Sequence, residues 1–320
     1  MIGAREREIT WVGRTQHGFS LVEMMVALTI SLILLLGVSN IIISSSQSYN
    51  ELARSSQQLE NGRYAVQVMR DDILHAGFYG EFSGLKVPAT MPNSCLVSGT
   101  ELLAAINAPV QGFAAAAQAP LGCLPGYAGG DVLVIRRAAT SVTAIDSLSA
   151  NDFYIQSRPG EVTVALGSAG NFALKKKDNV TLADVRKYVA HIYYIRNCND
   201  CSGSGDGVPT LWRRELVSGN ITSIPIAEGV ENLQLRYGLD DNKDGAPDRY
   251  VALPSSTTEW SSVVSVEVNL LARAAEPTAG FTDSKRYVLG DVQVAPGGSF
   301  KRHAFSAVVR ATNLSSRKEL

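Results

Sequence analysis

Residues 19–43 read FSLVEMMVALTISLILLLGVSNIII, and Gly18 stands immediately before them. Glu23 is the single charge in this run. Twenty-five residues at about 1.5 Å each make roughly 37 Å of helix, enough to cross a hydrocarbon core of about 30 Å. A helix apolar on every face over that length belongs in lipid rather than in a soluble core. A cleaved secretory signal fits poorly. Its apolar region spans about 7–15 residues and ends at small residues, whereas this run ends in Ile41-Ile42-Ile43-Ser44.

Working outward, the first 18 residues hold Arg5, Arg7 and Arg14 against Glu6 and Glu8. That mildly positive flank is expected to stay cytoplasmic. On the other side, Ser44 to Ala76 turns polar but keeps Leu52, Leu59, Val66 and Ile73 seven residues apart, with Met69 between the last two. The pattern predicts that the helix continues to residue 76, with one apolar stripe packed on a head domain. No Pro interrupts it, and Gly77 supplies a stop.

Beyond Gly77 the helical period ends. Val264, Val266, Val268 and Leu270 alternate with polar residues, the pattern of a half-buried strand. Further strands are expected at 131–137, 187–196, 210–217, 231–237, 249–253, 286–292 and 303–311. Gly, Pro, Ser and Asn clusters separate them. Residues 104–130, rich in Ala, Gly and Pro, read as an irregular insertion. The expected fold class is α+β: a long N-terminal helix, transmembrane and then amphipathic, packed on a head rich in antiparallel sheet. The expected organisation is a leader (1–18), a transmembrane helix (19–43), an amphipathic helix (44–76) and a head (77–320).

Composition narrows the functions. The chain has 320 residues, 45% hydrophobic and 18% charged, with a net charge of −1. That balance excludes a disordered chain. It also lacks the basic excess a dedicated nucleic-acid binder needs, so no nucleic-acid partner is expected. The charged fraction is below the usual 25% or so, and the run at 19–43 accounts for part of the deficit.

The string Gly18-Phe19-Ser20-Leu21-Val22-Glu23 closely resembles the processing signature of the type IV pilin superfamily. The resemblance implies that a prepilin peptidase cuts after Gly18 and methylates the new amino terminus of Phe19. It also implies that Glu23 pairs with a neighbouring subunit's amine during assembly. The cost of a lone carboxylate in a membrane segment agrees with a pairing role. Members often carry Pro at the position of Asn40; this sequence does not, although Gly37 lies close by. More strings narrow the family: Asn61-Gly62-Arg63-Tyr64-Ala65, Met69-Arg70-Asp71-Asp72-Ile73, Ala76-Gly77-Phe78-Tyr79-Gly80, Pro209-Thr210-Leu211-Trp212-Arg213, Glu228-Gly229-Val230-Glu231-Asn232-Leu233-Gln234 and Trp260-Ser261-Ser262-Val263-Val264. Together they resemble the PilW-type minor pilins, which are related to the J-type pseudopilins of type II secretion. The resemblance runs nearly end to end, except for residues 84–130. It implies an initiating or tip complex with other minor pilins, contact with the major pilin and with a large tip adhesin, and an inner-membrane anchor with a periplasmic head. A secretion pseudopilin and a membrane-anchored periplasmic enzyme or calcium-binding protein are the alternatives.

Cys95, Cys123, Cys198 and Cys201 are even in number, which in an exported head favours disulfides. Three pairings are possible; Cys95–Cys123 with Cys198–Cys201 is the most local. A zinc site would want a second C-x-x-C knuckle, and a redox dithiol would want a helix start where Gly203, Gly205 and Gly207 follow. Asp240, Asn242, Asp244 and Gly245 match the D-x-[DN]-x-[DN]-G opening of a calcium loop, with Asp248 at its ninth position. Val251 stands where such a loop places its bidentate Glu. The spacing leaves two readings open, a Ca2+ clamp on a hairpin and a solvated polar turn. No cofactor is required by either. His75, His191 and His303 are expected as packed or surface residues, and Lys175-Lys176-Lys177 as a solvated loop. The chain has no G-x-S-x-G elbow, phosphate loop or dinucleotide fingerprint, so no catalytic residue is assigned and an enzyme is not expected.

Overall fold

The computed structural model describes residues 18–95, 98–115 and 122–318. The chain divides into two compact units, the first closing at Leu52 and the second beginning at Ala53.

Helix α1 (Leu21–Leu74) contributes to both. In the first unit, every residue from 21 to 50 is exposed. Leu, Met and Ala favour the helix and no Pro interrupts it, but none of the described residues of this unit covers its apolar surface.

In the second unit α1 buries Gln58, Gly62, Ala65, Met69, Asp72 and Ile73. This differs from the expected heptad: Leu52 is 70% exposed, and Leu59 and Val66 are only half-buried. The true contact stripe is built from small and polar residues, which a search for apolar repeats passes over. Gly62 is there because the Phe305 ring packs against the bare backbone; a Cβ at this position would lie 2.1 Å from a ring carbon. Gln58 is there because its Nε2 donates to the Ala272 carbonyl at 2.7 Å and the Lys301 carbonyl at 3.2 Å. The helix ends at Leu74, and Gly77 follows in the left-handed region at φ +71°. A Cβ at Gly77 would meet Leu314 at 2.6 Å as well. Only Gly fits there on both counts.

Two antiparallel sheets follow. Helix α2 (Gly99–Ala105) precedes β1 (Val110–Phe113), β2 (Val132–Ala138), β3 (Phe153–Arg158), β4 (Glu161–Leu166), β5 (Val185–Arg196), β6 (Thr210–Val217) and β7 (Asn220–Glu228). These seven strands run β1-β2-β5-β3-β4, with β6 also on β5 and β7 on β6. Next come β8 (Val230–Leu239), β9 (Arg249–Val251), helix α3 (Thr257–Ser261) and β10 (Val263–Arg273). The hairpin β11 (Tyr287–Leu289) and β12 (Val292–Val294) leads to β13 (Arg302–Arg310) and helix α4 (Thr312–Ser315). The second sheet has the order β13-β10-β8-β9. This is the expected α+β architecture.

Three details depart from expectation. The region read as an irregular insertion contains β1, which pairs Val110 with Ile135; four residues among Ala, Gly and Pro carry too little alternation to be seen. The strand expected at 286–292 is a hairpin, turned at Gly290 with φ +60°. Strands β3, β4 and β7 were not anticipated, and β7 carries Pro225, a residue that argues against a strand.

One core joins the helix to both sheets. Ala65, Met69 and Ile73 of α1 pack with Leu133 and Ile135 of β2, Leu233 and Leu235 of β8, and Val266 and Val268 of β10.

Candidate processing and assembly site

Gly18 and Phe19 are exposed, non-helical backbone, and Phe19 is 81% exposed. A peptide bond must be reachable to be cut, and the bond between these exposed residues lies outside the helix. Residues 1–17 of the expected leader lie outside the described residues. One turn on, the Ser20 carbonyl accepts the first helical hydrogen bond from Met24 N–H at 3.1 Å. Glu23 Oε2 accepts the Ser20 backbone N–H at 3.3 Å. Ser20-x-x-Glu23 is thus the spacing of a capping box, with the acid of the third helical residue reaching back to the cap. This second use of Glu23 goes beyond the pairing role expected of it, and the S-x-x-E string carries its signal.

The other acid that matters on α1 is Asp72, which no local pattern in the sequence marks. It is 4% exposed and faces the first sheet. Arg137 of β2 donates to its Oδ1 through Nε at 3.0 Å and Nη2 at 2.9 Å. His191 Nδ1 of β5 lies 2.5 Å from Oδ2, and the Tyr193 hydroxyl donates to the same oxygen. Burial alone would raise the Asp72 pKa; His191, Tyr193 and Arg137 together outweigh it and hold the carboxyl far below the usual range. Burial, and then the Asp72 charge, push the Tyr193 phenol well above its ordinary value. The cluster pins the second-unit part of α1 to β2 and β5 by its charge. No activated nucleophile is among its members.

Two family matches cover separate stretches of the chain. Residues 13–39 match the prokaryotic N-terminal methylation motif. Residues 192–313, from within β5 through β13 to α4, match type IV pilus-assembly protein W. Over these two stretches the chain is similar to the PilW-type minor pilins. No curated protein matches this chain. Among solved structures, a type IV-like pilin from Thermus thermophilus is 12% identical, aligning over 80% of this chain and 97% of that one with a TM-score of 0.38. That overlap is loose, and the fold rests on the elements described above.

Both family matches support a role in type IV pilus assembly. The matched family is structural, the chain's methylation motif implies peptidase processing and contact with other pilins, and its apolar helix anchors it in a membrane. In the head, disulfides join Cys95 to Cys123 and Cys198 to Cys201, with Cα–Cα distances of 5.8 and 5.2 Å. Cys123 and Cys201 pack beside a buried cluster that includes Trp212 and Tyr194. Trp212 Nε1 also donates to the Cys198 carbonyl at 2.8 Å.

The loop at 240–248 is closed by its own hydrogen bonds. Asp240, 1% exposed, accepts Lys243 N–H at 2.5 Å and Gly245 N–H at 3.0 Å. Asn242 accepts Asp244 N–H at 2.9 Å, and its amide donates to Asp244 and to Asp248, each at 3.1 Å. Asp248 Oδ2 accepts the Asp241 and Asn242 N–H groups at 2.7 and 3.1 Å. Lys318 Nζ stands 3.8 Å from Asp240 Oδ2. Among the described residues, no group of three or more His, Cys, Asp or Glu is placed to hold a metal ion. Of the remaining histidines, His75 Nδ1 lies 2.7 Å from the Asp71 carbonyl. His303 is exposed and stacks edge-on with Phe305 at 4.7 Å between ring centroids.

Proposed function

We propose that this pilin enters an initiating or tip complex with other minor pilins. It would be anchored in the inner membrane before assembly, with its head on the periplasmic side. After processing, the Phe19 amine of one subunit pairs with Glu23 of the next. The observation that carries this reading is the apolar surface of residues 21–43, open on every face and carrying one acid. Lipid satisfies such a surface before assembly and neighbouring helices satisfy it afterwards. The complex contacts the major pilin and presents a large tip adhesin; no cofactor enters the mechanism.

Mass spectrometry of the amino terminus, in cells with and without the peptidase, tests the processing step. A methylated Phe19 is expected in normal cells, and an intact Met1 there would overturn it. Immunogold labelling of sheared filaments tests the location. Label at one filament end is expected; label spread along the shaft would overturn the tip assignment.

A further inference from the structure

The edges of the two sheets differ in how they are protected. Strand β7 carries Pro225 opposite Trp212 beside a register shift, β9 has three residues, and α2 packs beside β4. Each of these features discourages pairing with another chain. Strand β13 has none of them. It runs nine residues with no Pro and no Lys, and it pairs with β10 without a register shift.

The parity of that ladder identifies the open backbone groups. Ala311 N–H donates to the Val264 carbonyl at 2.8 Å, and Ala274 N–H donates to the Lys301 carbonyl at 2.9 Å. In an antiparallel pair, residues alternate between bonding the partner and facing away from it. The odd-numbered residues of β13 therefore bond β10, and Ala304, Ser306 and Val308 direct N–H and C=O outward. The side chains of these three are exposed, Val308 at 61%, while Phe305, Ala307 and Val309 pack in the core. Along this edge the flank of α1 leaves a groove of about 500 Å³, lined in part by Arg63, Val66, Arg70, Phe305 and Ser306. Arg63 and Arg70 are exposed and make no ion pair among the described residues; Asp71 is the one acid in the lining.

We propose that β13 accepts an added strand from another pilin subunit: an acidic, extended segment that pairs with Ala304, Ser306 and Val308 and places carboxylates on Arg63 and Arg70. This rests on the reading of the chain as a filament subunit. Main-chain bonds supply affinity and the two arginines supply selection. Seven helical residues separate the arginines, about 10 Å, so acids two to four residues apart on one face of a strand match them. A second copy of this chain is the wrong occupant. Antiparallel self-pairing about Ser306 would set Arg302 opposite Arg310 and bring each pair of groove arginines toward its counterpart, and like charges opposite one another repel. Self-pairing about a twofold would also close the contact, whereas a filament needs one that repeats head to tail.

The test places the photo-cross-linker benzoylphenylalanine at Ala304 of the full-length protein in piliated cells, with Val180, 77% exposed and remote in sequence, as the control position. The expected result is a cross-link from position 304, and not from 180, to an acidic extended segment of another pilin, mapped by mass spectrometry. Ser306→Pro removes an outward N–H and spares the ladder to β10. It is expected to cut that cross-link about tenfold while the melting temperature moves by no more than about 2 °C. Should Ser306→Pro fail to fold, the paired substitutions Arg63→Glu and Arg70→Glu lie on exposed side chains and are expected to cut the cross-link in the same way. Equal cross-linking at 304 and 180, a target that is not a pilin, or an undiminished cross-link in a folded variant would each overturn the proposal. Phe19 methylation and incorporation into sheared filaments are read in the same cells. Their loss counts against the pilin reading itself, whereas their presence without the cross-link removes strand addition alone.

Discussion

Glu23 and Asp72 are two carboxylates on one helix, α1, and they are held in opposite ways. Glu23 is exposed, and among the described residues its carboxylate accepts one hydrogen bond, from Ser20 N–H three residues back. Asp72 is buried, and its partners Arg137, His191 and Tyr193 are 65, 119 and 121 residues away. The first acid is left available for another molecule; the second is fully committed to its own head. The comparison separates assembly from stability, and substitutions at the two positions should separate them too.

The largest effect belongs to Glu23. Glu23→Ala is expected to abolish incorporation into filaments, because under the proposed pairing a staggered neighbour's amine then faces no counter-charge in a low-dielectric setting. The head should melt as before, since Glu23 belongs to the other compact unit. Sheared-filament blots beside a thermal melt check this. A fall in head stability would break the comparison from the Glu23 side.

Asp72→Ala reverses the pattern. Removing one partner of a buried charged cluster costs about 3 kcal/mol, or roughly 10 °C in a unit of this size. Processing at Gly18 should be unchanged, since that bond lies in the other unit. The pH dependence follows the same carboxyl. Its folded pKa is depressed, so its contribution is complete above the unfolded value near 3.9 and is lost as pH falls through that value toward the folded one. A melt series from pH 7 to pH 3 should show the wild type losing stability at the acid end more steeply than Asp72→Asn. Parallel curves would mean that the cluster contributes little charge-dependent stability.

These two acids also show what a sequence can disclose. The membrane run, the processing string around Gly18 and the polar alternation of β10 are local patterns, with all their information within a few consecutive residues. The Cys198–Cys201 pair is local in the same sense. Asp72 is not, because its partners come together only when β2 and β5 pair beside the helix. The misplaced helix stripe has a similar origin. Gln58, Gly62 and Asp72 are buried because Ala272, Phe305 and Arg137 happen to meet them, and no periodicity in residues 53–74 encodes those neighbours. Short strands such as β1 are invisible for a related reason: four residues become a strand through their partner rather than through their own pattern.

Gly62 tests the stripe directly. Ala is the better helix former by about 1 kcal/mol, yet its Cβ would have to displace the Phe305 ring. Overpacking of this kind costs about 1–3 kcal/mol, so Gly62→Ala is expected to melt a few degrees below the wild type. Adding Phe305→Leu should return part of the loss. A Gly62→Ala variant more stable than the wild type would show that the ring yields freely and that the close approach of α1 to β13 is not a constraint.

The smallest effect concerns a third acid, Asp240, which resembles Asp72 in burial and Glu23 in its dependence on near neighbours. Both of its oxygens accept backbone N–H groups from within its own loop, and Lys318 already sets a positive charge 3.8 Å from Oδ2. Calcium would have to compete with that lysine at a site whose spacing lacks the bidentate twelfth ligand. Isothermal titration of the full-length protein with calcium is therefore expected to release no heat beyond dilution, with Asp244→Ala indistinguishable from the wild type. A heat that disappears in Asp244→Ala would show instead that the D-x-N-x-D-G spacing specifies a cation site, and that the loop's internal hydrogen bonds preorganise it rather than replace the ion.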